Sequence, residues 1–292
     1  MAQQGSVQLP SPDEVVELET GDKHRFSLNC FHGERVAGAP VFLIWPAMGT
    51  RARNYHLLAL GLRERGFVAL IGELRGHGSS SMRAKHGTDY GYTQMLGEDW
   101  ETALAYAESH YPGQPVYLLG HSLGGQLSLL FASANTGRIS GVVLVASCSV
   151  YYKCFGSKAW ALRLSLPVVW ALVKVLGYFP GDSVGFARTE SPQVMHDWAY
   201  QARTGRYRPT GDDHEYEYLL TQLAKPILAL ELENDRLAPS KAVNHLLGKL
   251  KSAQIKRSTC SSREPKGNGH FTWMKDPGQI VAQIDAWQKS HR

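Results

Sequence analysis

The chain has 292 residues, 43% hydrophobic and 20% charged, with a formal net charge of +5. Such a length and balance suit a globular protein with a sizeable core, either one large domain with an insertion or two domains. They argue against a nucleic-acid partner, because the basic residues are scattered and the densest group (Lys249, Lys251, Lys256, Arg257) is broken by apolar positions. The first ten residues have neither a basic start nor an apolar core, so a signal peptide is not expected. Cys30, Cys148, Cys154 and Cys260 show no CxxC or zinc-type spacing, which points to free thiols in a reducing cytoplasm, with a Cys148–Cys154 bridge as the alternative.

In chain order, residues 15–18 and 25–30 read as a strand hairpin turning at Thr20-Gly21-Asp22. Residues 41–45 form an apolar strand between two prolines. Residues 55–65 place Tyr55, Leu58, Ala59 and Leu62 on one helical face, with Gly66 as the stop. Residues 67–71, 116–119, 141–146 and 226–232 are further apolar strands, and 254–259 is strand-like. Residues 98–107, 242–250 and 278–288 are helical, the last amphipathic. Strands that are apolar throughout and alternate with helices predict an α/β fold whose largely parallel sheet is covered on both faces. The rhythm stops over residues 148–224, an aromatic, helix-like stretch read as a cap inserted into a core of 1–147 and 225–292. Within it, 159–179 is strongly apolar but interrupted by Arg163, Pro167, Lys174 and Gly177, so two short helices meeting near Pro167 are expected rather than a membrane span.

Between the strand at 116–119 and the next helix pattern stands Gly120-His121-Ser122-Leu123-Gly124-Gly125. With 29 glycines in the chain, Gly-x-Ser-x-Gly would arise by chance in roughly one such sequence in five, so its weight rests on this strand-to-helix context. A serine on so tight a turn is lifted clear of the sheet, where a base can take its proton. Twelve histidines are available. His270, in Gly267-Asn268-Gly269-His270-Phe271 after the last strand and a polar loop, is the best placed base. Asp235, clear of the strand 226–232, is the best placed acid, with Glu231 and Glu233 as rivals. His121 reads as structural or pocket-lining and His77 as a turn or pocket residue. An oxyanion hole would draw on the Leu123 amide and on the loop Pro46-Ala47-Met48-Gly49.

Taken together, Trp45-Pro46-Ala47-Met48-Gly49, Asn54-Tyr55, Glu73-Leu74-Arg75-Gly76-His77-Gly78-Ser79-Ser80 and the Ser122 turn resemble the α/β-hydrolase superfamily. The likeness is to its capped branch of monoglyceride lipases, lysophospholipases and serine-aminopeptidase-like hydrolases. It covers about 40–147 and 226–288 but not the cap. The resemblance implies a Ser122–His270–Asp235 triad and Met48 as the second oxyanion donor, and Ala47 and His121 are expected to contact substrate. Two departures stand out: Pro46-Ala47 where the family has His-Gly, and Glu73 where aspartate is commoner.

The implied activity is hydrolysis of a carboxylic ester, with an apolar acyl group, through an acyl-enzyme, needing no metal or organic cofactor. Peptidase, thioesterase, lactonase and carbon–carbon hydrolase chemistry use the same triad, and the fold also serves non-catalytic ligand binding. In the cap, Trp160, Leu164, Val168, Trp170, Leu172, Leu176 and Phe179 are expected mostly to pack as core. The sharper alternative makes Trp160 and Trp170 part of an acyl-binding tunnel or of a lid edge touching lipid, with Arg163 and Lys174 at headgroups.

Overall fold

A computed structural model describes residues 9–33, 38–261 and 268–291. Residues 262–267, most of the polar loop ahead of His270, and residues 1–8 lie outside the described residues. Eight strands form one sheet: β1 (Glu14–Glu19), β2 (Arg25–Phe31), β3 (Val41–Trp45), β4 (Val68–Gly72), β5 (Val116–His121), β6 (Gly141–Val145), β9 (Pro226–Leu232) and β10 (Gln254–Cys260). The remaining pair, β7 (Phe179–Pro180) and β8 (Thr189–Glu190), makes a separate two-stranded ribbon. In space the large sheet runs β1-β2-β4-β3-β5-β6-β9-β10, with β2 antiparallel to both its neighbours, β1 and β4, and every other pair parallel.

Every residue of β3, β4, β5 and β6 is buried, because helices cover both faces. Alternation along β3 shows the two layers. Val41, Leu43 and Trp45 point to the side of the helices Glu101–His110 and Leu123–Ala134, whereas Phe42 and Ile44 meet the helices His56–Arg63 and Gly278–Lys289. Trp45, at the carboxyl end of β3, stacks on Trp100 with ring centroids 3.6 Å apart. The hairpin, the parallel strands and their connecting helices follow the expected order, with ends shifted by a few residues. Helix Glu101–His110 is preceded by a π-helical stretch, Met95–Trp100, that the periodicity does not show.

Between β6 and β9 the chain leaves the sheet and builds an inserted helical cap. Its first helix, Ala159–Leu176, is continuous through Pro167, not two helices. Pro167 is exposed, so the Arg163 carbonyl it leaves without a partner faces solvent. Both halves of the helix are held by one inward stripe, Leu162, Leu166, Val169 and Val173. All four cysteines are buried and free, so the Cys148–Cys154 bridge does not form.

The loop after β4 is anchored by a buried charge network. Arg75, whose side chain is fully buried, gives Nε and Nη2 to Asp99, the latter at 2.6 Å, and Nη1 to Asp22 at 2.5 Å. His24 bridges Asp99 and the Ser80 hydroxyl at 3.0 and 2.8 Å. Removing the guanidinium would strand a buried carboxylate, so Arg75→Ala is expected to lower stability by about 3–5 kcal/mol in urea unfolding. A loss below about 1 kcal/mol would show that the network does not anchor the loop. Burial alone would raise the Asp22 carboxyl, but hydrogen bonds from Arg75 and Thr20 outweigh it and hold it at about 2. That contribution is present above the ordinary aspartate range and is lost as pH falls toward 2. The drop in urea midpoint over that acid range should therefore be smaller in Asp22→Asn than in the wild type.

Candidate active site

Three residues from three loops lie at the carboxyl ends of the parallel strands, His270 paired with Asp235 and packed on the residue before Ser122. Ser122 follows β5 directly and holds φ 52°, ψ −115°, in a region that non-glycine residues rarely adopt. Its N–H donates to the Val145 carbonyl of the neighbouring strand at 3.0 Å, and its own carbonyl accepts from Gly125 and Gln126. The conformation survives because the surroundings leave no alternative path. A Cβ on Gly120 would overlap the backbone of Gly124 and Gly125, and one on Gly124 would overlap the carbonyl oxygens of Trp45 and Pro46. Strand and helix can cross this closely only without side chains at both positions.

Asp235 lies beyond β9, in a loop where Asn234 takes φ 59°. Its Oδ1 accepts the N–H groups of Leu237 and Ala238 at 2.8 and 2.9 Å. Its Oδ2 lies 2.8 Å from Nδ1 of His270, and both side chains are buried. Glu231 instead binds Arg257 on the surface. His270 is the second residue of a short helix, Gly269–Thr272, capped by Asn268, whose side chain accepts the His270 N–H. Gly269 brings this segment close: a Cβ there would overlap the Glu233 carbonyl. The His270 ring packs on that of His121, the residue before Ser122, with centroids 4.8 Å apart. The structure thus brings His270 into contact with Asp235 and sets it against the turn that carries Ser122.

Leu123 is the first residue of its helix, so its N–H has no carbonyl one turn back. Met48 lies half-buried in the loop after β3. Ala47 and His121 are almost wholly buried and offer no surface to a ligand, which corrects their reading as substrate contacts. Both instead meet the Tyr55 hydroxyl: the Ala47 N–H donates to Tyr55 Oη at 2.9 Å, and Oη stands 2.8 Å from His121 Nδ1. Burial and the nearby charge of His270 push the His121 imidazole well below its ordinary range.

The cap closes against this site at two points that the sequence did not reveal. A Cβ on Gly49 (φ 72°) would stand 2.9 Å from the carbonyl group of Ala187 in the cap. His77 Nε2 lies 2.8 Å from Glu190 Oε1, both side chains being buried. Burial alone would lower the His77 imidazole, but Glu190 outweighs it and raises it; burial raises the Glu190 carboxyl. Glu190 lies in the cap, outside the segments that carry the resemblance, so no sequence signal marked it as the partner of His77.

The cap's apolar residues depart most from expectation. Trp160, Leu164, Val168 and Trp170 are 69%, 67%, 58% and 55% exposed, so they are not core. On this helix the inward stripe is packed, and Phe179 just beyond it is buried. Trp170 lines a groove of about 350 Å³ between helices Ala159–Leu176 and Pro192–Thr204, together with Val169, Val173, Met195 and Ala199. Trp160 does not line it.

This architecture, with a strained serine at the strand-to-helix turn and a buried His–Asp pair beyond later strands, defines an α/β-hydrolase, an enzyme of the serine-hydrolase type acting on an ester or other acyl bond. The family described as serine aminopeptidase, S33 matches residues 39–202, and the chain belongs to it. The chain is 27% identical to human monoglyceride lipase over 234 residues, 75% of this chain and 73% of that protein. It is 26% identical to the monoacylglycerol lipase of Mycolicibacterium smegmatis over 219 residues, 70% of this chain and 73% of that one. The solved structure of DcsB in complex with its substrate analogue superposes with a TM-score of 0.67 at 17% identity, covering 95% of this chain and 98% of that one.

Gly124→Ala tests the crossing directly. It is expected to remove most hydrolytic activity and lower the thermal midpoint, since the new methyl must displace the Trp45 carbonyl. Unchanged activity toward p-nitrophenyl butyrate would show that the turn tolerates a side chain there.

Proposed function

We propose that the protein is a serine esterase that cleaves apolar acyl esters through an acyl-enzyme, with Ser122 as nucleophile, His270 as general base and acid, and Asp235 orienting His270. The observation that carries this is the 2.8 Å Asp235–His270 pair seated beside the positive-φ turn of Ser122. Asp235 engages Nδ1, so the free nitrogen of His270 is Nε2, the atom that takes the Ser122 proton as Oγ adds to the acyl carbon. The developing oxyanion is received by the N–H groups of Leu123 and Met48. Collapse expels the alcohol, which takes the proton from His270. Water, deprotonated by the same histidine, then releases the acid and frees Ser122. Every step uses protein groups alone.

An apolar acyl ester is favoured over a peptide by the cap, which presents Trp170, Val169 and Met195 along its groove, and by the likeness to monoglyceride lipases. Ser122→Ala should abolish both hydrolysis of p-nitrophenyl esters and labelling by a fluorophosphonate, and Asp235→Asn should lower kcat by about four orders of magnitude. Labelling at another serine, or wild-type rates in Asp235→Asn, would overturn the assignment. Trp170→Ala should depress long-chain ester turnover and spare short-chain turnover. An equal loss on both would separate the groove from the acyl group.

We further propose that helix Ala159–Leu176 lies on a lipid surface while substrate is taken up. Residues 151–181 contain four basic side chains (Lys153, Lys158, Arg163, Lys174) and no acidic one. Within Gly156–Leu176 an 18-residue window has a mean hydropathy of 1.6, and by length and composition the stretch would suffice to cross a membrane. Its inner stripe packs on the rest of the cap, however, which favours a helix lying in the interface with exposed Trp160, Leu164 and Val168 inserted. The doubly substituted Trp160→Ser/Leu164→Ser protein should sediment less with vesicles containing phosphatidylglycerol while hydrolysing water-soluble esters normally. Equal sedimentation would exclude this helix as the docking face.

A further inference from the structure

We infer that Tyr55 is a positioning residue for catalysis, holding the oxyanion loop and the Ser122 turn at a fixed separation through one buried hydroxyl. The inference rests on the assignment of Ser122 as nucleophile and adds a residue to which no role in the reaction has been given.

The geometry begins with the loop after β3. In this chain it reads Pro46-Ala47-Met48-Gly49, so Pro46 has no N–H to tie it down. The first N–H available, that of Ala47, donates to Tyr55 Oη at 2.9 Å. The same oxygen lies 2.8 Å from Nδ1 of His121. Tyr55 is itself fully buried, and burial pushes its phenol well above the ordinary range, so its proton stays in place. Because His121 is held neutral, its Nδ1 can serve as an acceptor. Ala47 N–H donates to Oη, and a single proton joins Oη to Nδ1.

One hydroxyl therefore spans the two halves of the oxyanion hole. On one side it fixes Ala47, the residue before Met48. On the other it fixes His121, the residue before Ser122, whose ring also packs on that of His270. Because the Ala47 N–H is consumed by Tyr55, Met48 is the donor this loop can turn toward substrate. The Tyr55 ring is held independently, edge-on to Trp273 with centroids 6.0 Å apart. Removing the hydroxyl alone thus leaves the packing and loosens only the linkage.

Tyr55→Phe is the direct test. It is expected to lower kcat on p-nitrophenyl butyrate about 10- to 100-fold, somewhat less than loss of an oxyanion donor itself, with KM within about twofold. The inhibition constant of a trifluoromethyl ketone, which forms the tetrahedral adduct, should rise by the same factor as kcat falls. Phosphonylation of Ser122 by a fluorophosphonate should slow in parallel. Should Tyr55→Phe fail to accumulate as folded protein, His121→Leu removes the ring nitrogen bonded to Oη, keeps the Ala47–Tyr55 bond and carries the same expectations. Where both fold, the double variant should be no slower than the worse single one, because both break one linkage. Wild-type kcat in Tyr55→Phe, or a loss confined to KM with unchanged ketone affinity, would overturn the role of Tyr55 while Ser122 still labels. Absence of Ser122 labelling in the wild-type protein would instead overturn the underlying assignment.

Discussion

Strand β5 and the helix Leu123–Ala134 cross so closely that three backbone positions, Gly120, Gly124 and Gly125, have no room for a side chain. A Cβ on Gly125 would overlap Ser147 just as one on Gly124 would overlap Trp45, so the crossing is locked to the strands on either side, β3 and β6. Ser122 absorbs the resulting bend in a positive-φ conformation that costs about 1–3 kcal/mol for a non-glycine residue. The surrounding sheet holds it there through the Val145 carbonyl. The fully buried strands and the two helix layers supply the packing that maintains this local strain.

From that crossing the reactive arrangement is built outward by loops, each with its own local support. Asp235 is steadied by two backbone N–H groups and presents its second oxygen to His270. Asn268 caps the segment that carries His270, and Gly269 allows its backbone to pass close to Glu233. The oxyanion loop is tied from below by Tyr55 and covered from above by the cap turn at Ala187. The loop after β4 is held in the core by Arg75, and it presents His77 to Glu190 of the cap. Rigid anchorage in the core thus extends, residue by residue, to the moving parts a hydrolase needs.

The cap is built on a different principle. Its long helix turns a narrow stripe inward and leaves large apolar side chains in solvent, where isolated globular proteins rarely gather them. Four basic side chains and no acidic one accompany this face. The family match, over residues 39–202, runs from the core into the cap.

Local pattern was sufficient wherever one element's own residues decide its conformation. Apolar runs between prolines and glycines marked the parallel strands, because a strand buried on both faces must be apolar throughout. The Gly-x-Ser-x-Gly turn, Asp235 and His270 were legible because each sits just past a recognisable strand. Periodicity failed at Pro167, where exposure of the freed carbonyl let the helix continue, and at the cap's tryptophans, where hydrophobic composition implied burial that packing did not provide. It was silent on the hydrogen bonds of Tyr55 and on the His77–Glu190 pair, whose partners lie 66 and 113 residues apart. The sequence alone thus determined the order of strands along the chain and marked the loops that carry Ser122, Asp235 and His270. The tertiary structure decided which face of the cap is bare and which distant hydroxyls and carboxylates steady the site, since contacts across such separations exist only once the sheet has brought the loops together.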